Sequence, residues 1–331
     1  MPAGTRPVIW ISGCLIIIAY VSFNSTQKNV NPNRKYGVSW TENRRYNMIE
    51  EKAYGKINLA LQITGRREDG YHDIDTVFQS IGLCDTIQLE QADSLEISCS
   101  EPALPCDQSN LAYKAYEALR PYCKGRAGVR IHIIKKIPIA AGLAGGSTDC
   151  AAVLRGLNRL WHLGLSYDRL CHIGARLGAD VPFCIRGGTA RGTGIGEILK
   201  KLPSLPDWPV LIVHPHIAVH TGRAYSLFDS QPVRSPVDIN AQEEAVRAGL
   251  LERVTSALGN TFEELVIPDV PEISRFKQLL RKEGLKPLMS GSGPTLFALV
   301  PPSLKHHEVA GRLRQLAGDA DIFTSTLVTG D

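Results

Sequence analysis

The chain has 331 residues, 44% hydrophobic and 21% charged, which is usual for a globular protein large enough for two domains. The first 47 residues contain six basic residues and one acidic residue, so the rest, with 31 basic and 32 acidic residues, is close to neutral. This balance argues against a nucleic-acid-binding protein, whose affinity depends on clustered Lys and Arg. Eight cysteines without a C-x-x-C pair indicate reduced thiols in the cytoplasm rather than a disulfide framework or a zinc site.

The segment 1–47 differs in character from the rest of the chain. Residues 8–23 form an apolar run of sixteen residues, shorter than the roughly 20 that span a bilayer. One basic residue precedes the run and no small-residue cleavage site follows, so it makes a poor signal peptide. A marginal membrane anchor and a non-structural extension both remain open. We favour the extension, with a working protein that begins at Met48 and no membrane association of residues 48–331.

Alternating apolar and polar residues predict several strands in the first half of the chain. They are expected at 52–65, 76–91, 94–100 and 128–139. The Asp69-Gly70 pair predicts a turn between the first two strands. Asn110 offers an N-cap for a helix over 111–123.

Helical spacing of apolar residues predicts a helix that ends near Trp161 and another over 166–178. The glycine-rich segment 179–202 is predicted as a strand with tight turns. Three prolines between Leu202 and Pro209 suggest a boundary between domains at 48–205 and 206–331. Beyond the boundary, strands at 210–215, 295–301 and 321–328 alternate with helices at 239–254, 272–284 and 306–318. We therefore predict an α+β protein with two domains.

A glycine-rich segment joins the strand at 128–139 to the helix that follows. Gly142, Gly145 and Gly146 lack a Cβ, so they can adopt positive φ angles and let a ligand approach the backbone. Ser147 and Thr148 offer hydroxyls and can cap the helix, whose N-terminus is a natural seat for phosphate. The segment matches neither a Walker A sequence nor G-x-G-x-x-G. From these residues alone, a phosphate-binding loop and a structural strand-to-helix turn are equally supported.

Residues 138–152 (PIAAGLAGGSTDCAA) resemble the loop P-x-x-x-G-L-x-G-G-S-S-D-A-A of the GHMP kinases. The segments 53–87, 177–197 and 289–299 resemble, in the same order, that family's opening segment, its segment with the catalytic aspartate and its third, glycine-rich motif. The Lys-Ile-Asn and Gly-Tyr-His blocks are most similar to the family members that phosphorylate 4-diphosphocytidyl-2-C-methyl-D-erythritol. The resemblance covers Met48 to the C-terminus. Thr148 and Cys150 stand where the family usually has Ser and Ala, and the first 47 residues have no counterpart.

The resemblance implies an ATP-dependent small-molecule kinase with an N-terminal ribosomal-protein-S5-like domain and a C-terminal ferredoxin-like domain. It implies ATP with Mg²⁺ as cofactor and CDP-methylerythritol as small-molecule substrate, phosphorylated at its C2 hydroxyl in non-mevalonate isoprenoid biosynthesis. One alternative is another GHMP kinase, acting on homoserine or a mevalonate derivative. A second alternative is a non-catalytic ligand sensor on the same scaffold.

The resemblance also assigns roles to individual residues. Lys56 and Asp180 are implied to be catalytic, with Lys56 keeping Asp180 ionised and Asp180 accepting the hydroxyl proton. A solvent-facing lysine and an ordinary helix-terminal aspartate are the structural alternatives. The implied ATP-binding residues are Pro138, Ile139, Ala140, Ala141, Gly142, Leu143, Ala144, Gly145, Gly146, Ser147 and Thr148.

Four further residues are implied to bind the substrate. Asn58 shares a strand face with Lys56, two residues before it. Tyr71 and His72 follow the predicted turn and can stack on and hydrogen-bond a pyrimidine. Tyr225 is implied to cover the other face of the base, and its alternative is an aromatic packed in the core.

Three histidines, at 214, 216 and 220, could suggest a metal site because alternate residues share a strand face. No Cys, Asp or Glu lies between them to complete a ligand set. We therefore predict no metal site built from protein ligands, and expect Mg²⁺ to arrive with ATP.

Overall fold

The computed structural model describes residues 7–12, 15–20, 48–231 and 235–330. Residues 1–44 and 45–331 form separate compact units. In the first unit the backbone of β1 (Pro7–Ser12) pairs antiparallel with β2 (Leu15–Tyr20). The other residues of the segment 1–47 lie outside the described residues, and both interpretations of this segment stay predictions. Within the described ranges, no helix is long and apolar enough to cross a membrane.

The larger unit contains both strands and helices. Its strands are β3 (Ile49–Arg66), β4 (His72–Gln91), β5 (Glu96–Cys99), β6 (Val129–Ile134), β7 (Thr189–Thr193), β8 (Ile198–Lys201), β9 (Pro209–Pro215), β10 (Gly259–Asn260), β11 (Leu288–Met289), β12 (Leu296–Leu299) and β13 (Ala320–Thr326). Its helices are α1 (Leu111–Leu119), α2 (Gly145–Leu160), α3 (Tyr167–Ala175), α4 (Val181–Arg186), α5 (Thr221–Ser230), α6 (Ile239–Ala248), α7 (Leu251–Ser256), α8 (Thr261–Val266), α9 (Pro271–Lys282) and α10 (His306–Ala317). Short 3₁₀ turns lie at Arg120–Tyr122 and Ile267–Asp269. The predicted α+β class is confirmed.

The first sheet is built on the long antiparallel pair β3 and β4. Its strand order is β10-β3-β4-β6-β5, and β7 extends it by pairing with both β4 and β8. Register shifts interrupt the β3–β4 ladder between Tyr54 and Lys56 and again between Asn58 and Ala60. Such irregularities bend a strand and re-aim its side chains. They occur on both sides of the two polar residues that β3 contributes to the site.

Helices α1 to α4 pack against β3, β4 and β6 of this sheet. Leu154 and Leu157 of α2 pack with Leu119 of α1 and with the sheet residues Leu89 and Ile131, all fully buried. Each such side chain contributes roughly 1.5–3 kcal/mol by leaving water. This packing fixes the position of α2, and therefore of the loop that precedes it.

The second sheet has four strands in the order β11-β12-β9-β13, with antiparallel neighbours throughout. The helices α8, α9 and α10 contribute to its core, which includes Phe262, Phe276 and Leu313 beside Leu211 and Leu296 of the strands. Apart from β10, which pairs with β3 from beyond the predicted boundary, the two sheets are built from chain segments on either side of it. They nevertheless share a core, in which Ile57 and Leu59 of β3 cluster with Ile212 of β9 and Phe297 of β12.

Two predicted elements differ from the structure. The segment 179–202 contains helix α4 before β7 and β8 instead of a continuous strand, because Pro182 suits the first helical turn and Val181 and Phe183 bury an apolar face. The helix predicted over 239–254 is divided into α6 and α7. Gly249, with φ 63°, caps α6 in the left-handed conformation. Its backbone N–H donates to the carbonyls of Ala245 and Val246, and the helix ends there.

Candidate active site

A cavity of about 880 Å³ lies where β3, the segment before α2, the start of α4, helix α5 and the turn after β11 meet. Its volume is in the range of small-molecule sites. The predicted site residues that line it are Lys56, Asn58, Tyr71, His72, Ala140, Ala141, Gly142, Ala144, Gly145, Gly146, Ser147, Asp180 and Tyr225. Residues distant in the chain are therefore gathered around one space.

Lys56 is a buried cation with three partners. Its Nζ lies 3.5 Å from Oδ2 of Asp180 and donates a hydrogen bond of 3.0 Å to Oδ1 of Asn58. It also lies 5.1 Å from the ring centroid of Phe78, within reach of a cation–π interaction. The Lys56 side chain is only 6% exposed and that of Asp180 is 31% exposed. The structural alternative of a solvent-facing lysine is therefore wrong.

Asp180 occupies the N-cap position of α4. Its side chain makes no hydrogen bond to the helix N-terminus, although aspartate is a common cap there. The carboxylate points instead to the ammonium of Lys56. The alternative of an aspartate that serves only its own helix terminus does not fit this geometry.

The amide of Asn58 is held in one orientation. Its Nδ2 donates to Oγ1 of Thr76 over 2.8 Å, and that hydroxyl donates onward to the carbonyl of Ala60 over 2.6 Å. Because Thr76 uses its proton on the carbonyl, it can only accept from Asn58. The amide oxygen is therefore left for Lys56.

The segment 138–148, here called the ATP loop after the role predicted for it, has an unusual backbone. Ala140, Gly142 and Ala144 have φ angles of 54°, 73° and 59°. The left-handed conformation costs a residue with a Cβ roughly 1–2 kcal/mol, so the two alanines hold it against their preference. The backbone of the loop also contacts β3, since Lys56 N–H donates to Leu143 O over 3.1 Å.

Helix α2 begins at Gly145 without a side-chain cap, and its N-cap is Ala144. The prediction that Ser147 and Thr148 cap this helix is wrong, because both lie within its first turn. Thr148 is buried, and its hydroxyl donates to Gly145 O over 2.8 Å. The N-terminus of the 16-residue helix therefore keeps N–H groups and its positive dipole end for a ligand.

The glycine-rich turn after β11 supports the ATP loop from the opposite side. Ser290 Oγ donates to Gly142 O over 2.9 Å. A Cβ on Gly142 would lie 2.4 Å from Ser290 O and 3.0 Å from Gly293 O, so only glycine fits there. Asn260 in turn donates from Nδ2 to the carbonyls of Met289 and Gly291. These contacts hold the turn against the loop.

The other end of the cavity is aromatic. The rings of His72 and Tyr225 are stacked, with centroids 4.6 Å apart and an interplanar angle of 18°. His72 Nε2 lies 2.7 Å from Oδ1 of Asp229, whose other oxygen is 3.4 Å from Arg66 Nη1. Tyr71 is 61% exposed at the rim of the cavity. Burial, with a smaller effect of the Asp180 charge, raises the pKa of Tyr225 to about 12, so its phenol stays protonated.

Residues 110–188 match the GHMP kinases N terminal domain and residues 242–317 match the GHMP kinases C terminal domain. The chain is 41% identical over 266 residues to the 4-diphosphocytidyl-2-C-methyl-D-erythritol kinase of Bacillus cytotoxicus, covering 80% of this chain and 92% of the relative. It is 43% identical over 265 residues to the enzyme of the same name from Exiguobacterium sibiricum, covering 79% and 91%.

The chain belongs to the GHMP kinase family. A crystal structure of 4-(cytidine 5'-diphospho)-2C-methyl-D-erythritol kinase shares its fold with a TM-score of 0.71 at 33% identity, covering 85% of this chain and 100% of that one. A homoserine kinase from Cytophaga hutchinsonii has a TM-score of 0.67 at 17% identity and covers 86% of this chain and 95% of that one, which is a likeness of fold alone. The predicted family and the two-domain GHMP kinase fold are confirmed.

Four of the residues predicted to bind ATP do not line the cavity. The side chains of Leu143 and Thr148 are buried, whereas that of Ile139 is 46% exposed. Pro138 precedes Ile139 in the chain. Their roles stay predictions. The sequence reasoning also missed residues of this GHMP kinase that do line the cavity, namely Arg66, Thr221, Asp229, Phe262 and Ser292. Asp229 stands 157 positions from its partner His72, and nothing local to either residue indicates the pair.

The three histidines considered for a metal do not converge. His214 is buried, its Nδ1 lies 3.0 Å from Thr295 Oγ1, and burial lowers its pKa. His216 pairs with Asp321, while His220 lines the cavity. Across the part of the chain that the structure describes, no group of three or more His, Cys, Asp or Glu side chains could hold a metal ion.

Proposed function

We propose that the protein is an ATP-dependent kinase that phosphorylates the C2 hydroxyl of 4-diphosphocytidyl-2-C-methyl-D-erythritol. The observation that carries this proposal is the Lys56–Asp180 pair, set at 3.5 Å in the cavity that the ATP loop also lines. Two relatives of that name at 41% and 43% identity support the choice of substrate. Phosphoryl transfer requires a held triphosphate, an aligned hydroxyl and positive charge at the transferring group. Each requirement has a candidate in this cavity.

The triphosphate of ATP is proposed to lie on the ATP loop at the N-terminus of α2. Gly145 and Gly146 have no side chain to keep phosphate oxygens from the backbone N–H groups. Ser147 lines the same wall and carries a hydroxyl. Mg²⁺ takes oxygen ligands and usually keeps few from the protein, so the Ser147 hydroxyl suits an ion that is bound mainly by the phosphates. Such an ion would neutralise phosphate charge.

The acceptor hydroxyl is proposed to lie beside Asp180. The hydroxyl oxygen forms a bond to the γ-phosphorus, the bond from that phosphorus to the β-phosphate oxygen breaks, and ADP leaves with that electron pair. Asp180 accepts the hydroxyl proton. Lys56 stabilises negative charge on the acceptor oxygen, while Asn58 holds the Lys56 ammonium in place.

The cytidine of the substrate is proposed to occupy the aromatic end of the cavity. Tyr71 at the rim offers a ring face for stacking. Tyr225 on α5 lines the same end of the cavity with its ring stacked on His72, and His72 offers a ring nitrogen for hydrogen bonding. The substrate serves non-mevalonate isoprenoid biosynthesis. We place the reaction in the cytoplasm, because ATP is the donor and seven cysteines of the described residues are free thiols.

The direct test is ADP release from ATP and Mg²⁺ by the full chain, with and without the cytidylylated methylerythritol. We expect release that depends on this acceptor. Homoserine and mevalonate serve as comparison acceptors. Release with either of them instead would assign the chain to another activity of the family. If the chain binds ATP but releases no ADP with any of the three acceptors, the alternative of a non-catalytic ligand sensor is favoured.

A further inference from the structure

A buried group of charged residues lies directly beneath the ATP loop. Lys135 Nζ is 2.5 Å from Oδ2 of Asp85 and 2.8 Å from Oδ2 of Asp149. The three side chains are 8%, 0% and 6% exposed, respectively. Asp85 belongs to β4 and Asp149 to the first turns of α2, while Lys135 follows the end of β6. One ammonium therefore joins a strand, a helix and the segment that leads into the loop.

This group holds the chain just before the loop. Asp85 Oδ1 accepts hydrogen bonds from the backbone N–H of Lys136 over 2.5 Å and of Ile137 over 2.9 Å. These are the two residues that precede Pro138, where the loop begins. Hydrogen bonds to an ionised carboxylate are stronger than those between neutral groups. The entry to the loop is therefore tied to β4.

The same group holds the chain just after the loop. Asp149 immediately follows Thr148, the last residue of the loop, and it is bound to the same ammonium as Asp85. Lys135 Nζ would lie 3.4 Å from a Cβ on Gly145, so the ammonium sits against the start of α2. Both ends of the loop are thus fixed to one buried charge.

Stability alone does not account for this arrangement. Two buried carboxylates share one ammonium, and Asp149 Oδ1 has no hydrogen-bond partner among the described residues. Buried ion pairs can often be replaced by apolar residues without loss of stability, and a half-satisfied carboxylate is costly. The loop they flank contains two alanines in the left-handed conformation, a backbone that a loop with free ends would leave. The charged group is well placed to keep that backbone in its strained shape.

We propose that Lys135, Asp85 and Asp149 are positioning residues that hold the ATP loop in the shape that receives the triphosphate. None of the three lines the cavity, so they act through the loop and not on the reacting atoms. The inference rests on the proposed function only in taking this loop as the nucleotide site. Its specific consequence is that a change in the charged group alters nucleotide affinity while leaving the affinity for the other substrate unchanged.

The test is the dissociation constant of a non-hydrolysable ATP analogue with Mg²⁺, measured by calorimetry on the full chain. For Asp149→Ala we expect a rise of about tenfold or more, because the exit of the loop loses its link to Lys135. Asp149→Asn keeps an oxygen that can accept from Lys135, so its affinity should lie between those of the wild type and the alanine variant. The affinity for the cytidylylated substrate should change by no more than about twofold.

Glu51→Ala is the matched control. Glu51 is another buried carboxylate bound to α2, through Arg155 and Arg159 towards the far end of the helix, and it does not line the cavity. We expect wild-type affinity for the nucleotide analogue in this variant. Wild-type affinity in both Asp149 variants would overturn the inference, as would an equal loss of affinity for the two ligands or an equal effect of Glu51→Ala. Wild-type turnover tests the proposed function separately, because analogue binding requires no acceptor.

Discussion

Asp229 Oδ1 lies 2.7 Å from Nε2 of His72, although the two residues are 157 positions apart. A carboxylate only accepts hydrogen bonds, so Nε2 carries a proton and Nδ1 is left without a partner among the described residues. The ring is also held between Tyr225, on which it stacks, and the edge of Phe228. The imidazole is thus fixed in both orientation and tautomer at the aromatic end of the cavity.

We expect Asp229→Ala to weaken binding of the cytidylylated substrate because His72 loses this constraint. The KM for that substrate should rise about tenfold, with kcat and the KM for ATP changed by no more than about threefold. Steady-state kinetics with each substrate varied in turn measures this. Asp73→Ala is the control, since Asp73 pairs with Arg67 and does not line the cavity. An unchanged KM in Asp229→Ala would show that the pair does not serve substrate binding.

Asp180→Asn should abolish most turnover. The amide cannot accept the hydroxyl proton, and general-base assistance is typically worth 10²–10⁴-fold, so we expect kcat to fall by about 10³-fold. The loop that holds ATP is intact in this variant, so calorimetry should show nucleotide affinity within about threefold of the wild type. Comparable turnover in the variant would remove Asp180 from the role of base.

Gly142→Ala should disrupt the contact between the ATP loop and the turn after β11. The new Cβ would lie 2.4 Å from Ser290 O at a residue with φ 73°, so both sterics and backbone conformation oppose it. We expect a loss of roughly 1–3 kcal/mol in stability or a displaced loop with weaker ATP binding. Gly311→Ala is the control, because a Cβ there meets nothing within 4 Å. Urea unfolding and nucleotide titration measure both variants. Equal stability and equal nucleotide affinity of Gly142→Ala and Gly311→Ala would contradict this expectation.

Asp149 should make stability depend on pH. Burial, with the nearby Asp85 carboxylate, raises its pKa from 3.8 to about 7 against the opposing effect of Lys135. Between these values the folded protein retains a proton that the unfolded chain releases, so the contribution of Asp149 to stability falls as pH rises from about 4 to 7. Asp149→Asn removes this dependence and should gain at least about 1 kcal/mol relative to the wild type across that window. Urea midpoints of both proteins at several pH values measure the difference, and a constant or shrinking gap would contradict the expectation.

Local features of the chain were predictable from the sequence. Asn110 caps α1 by accepting from Ala112 N–H, as its position before an apolar helix predicts. The strand that carries Lys56, the helix after the ATP loop and the α+β class follow from apolar spacing, because nearby residues alone decide which face of an element is buried. The break at Gly249 was missed, although a glycine within a helical pattern can signal a C-cap.

The chemical groups that the protein carries can be read from the sequence, and the order of the motifs shows the family to which the protein belongs. The tertiary structure alone decided which of these groups meet. His72 contacts Asp229 although 157 positions separate them in the chain. Lys135 joins Asp85 and Asp149 only because β4, β6 and α2 pack together. Periodicity reports burial but not partners, since side chains far apart in the chain are brought within hydrogen-bond distance by the packing of whole elements. The register shifts in β3 and the two left-handed alanines of the loop are likewise not indicated by the neighbouring sequence.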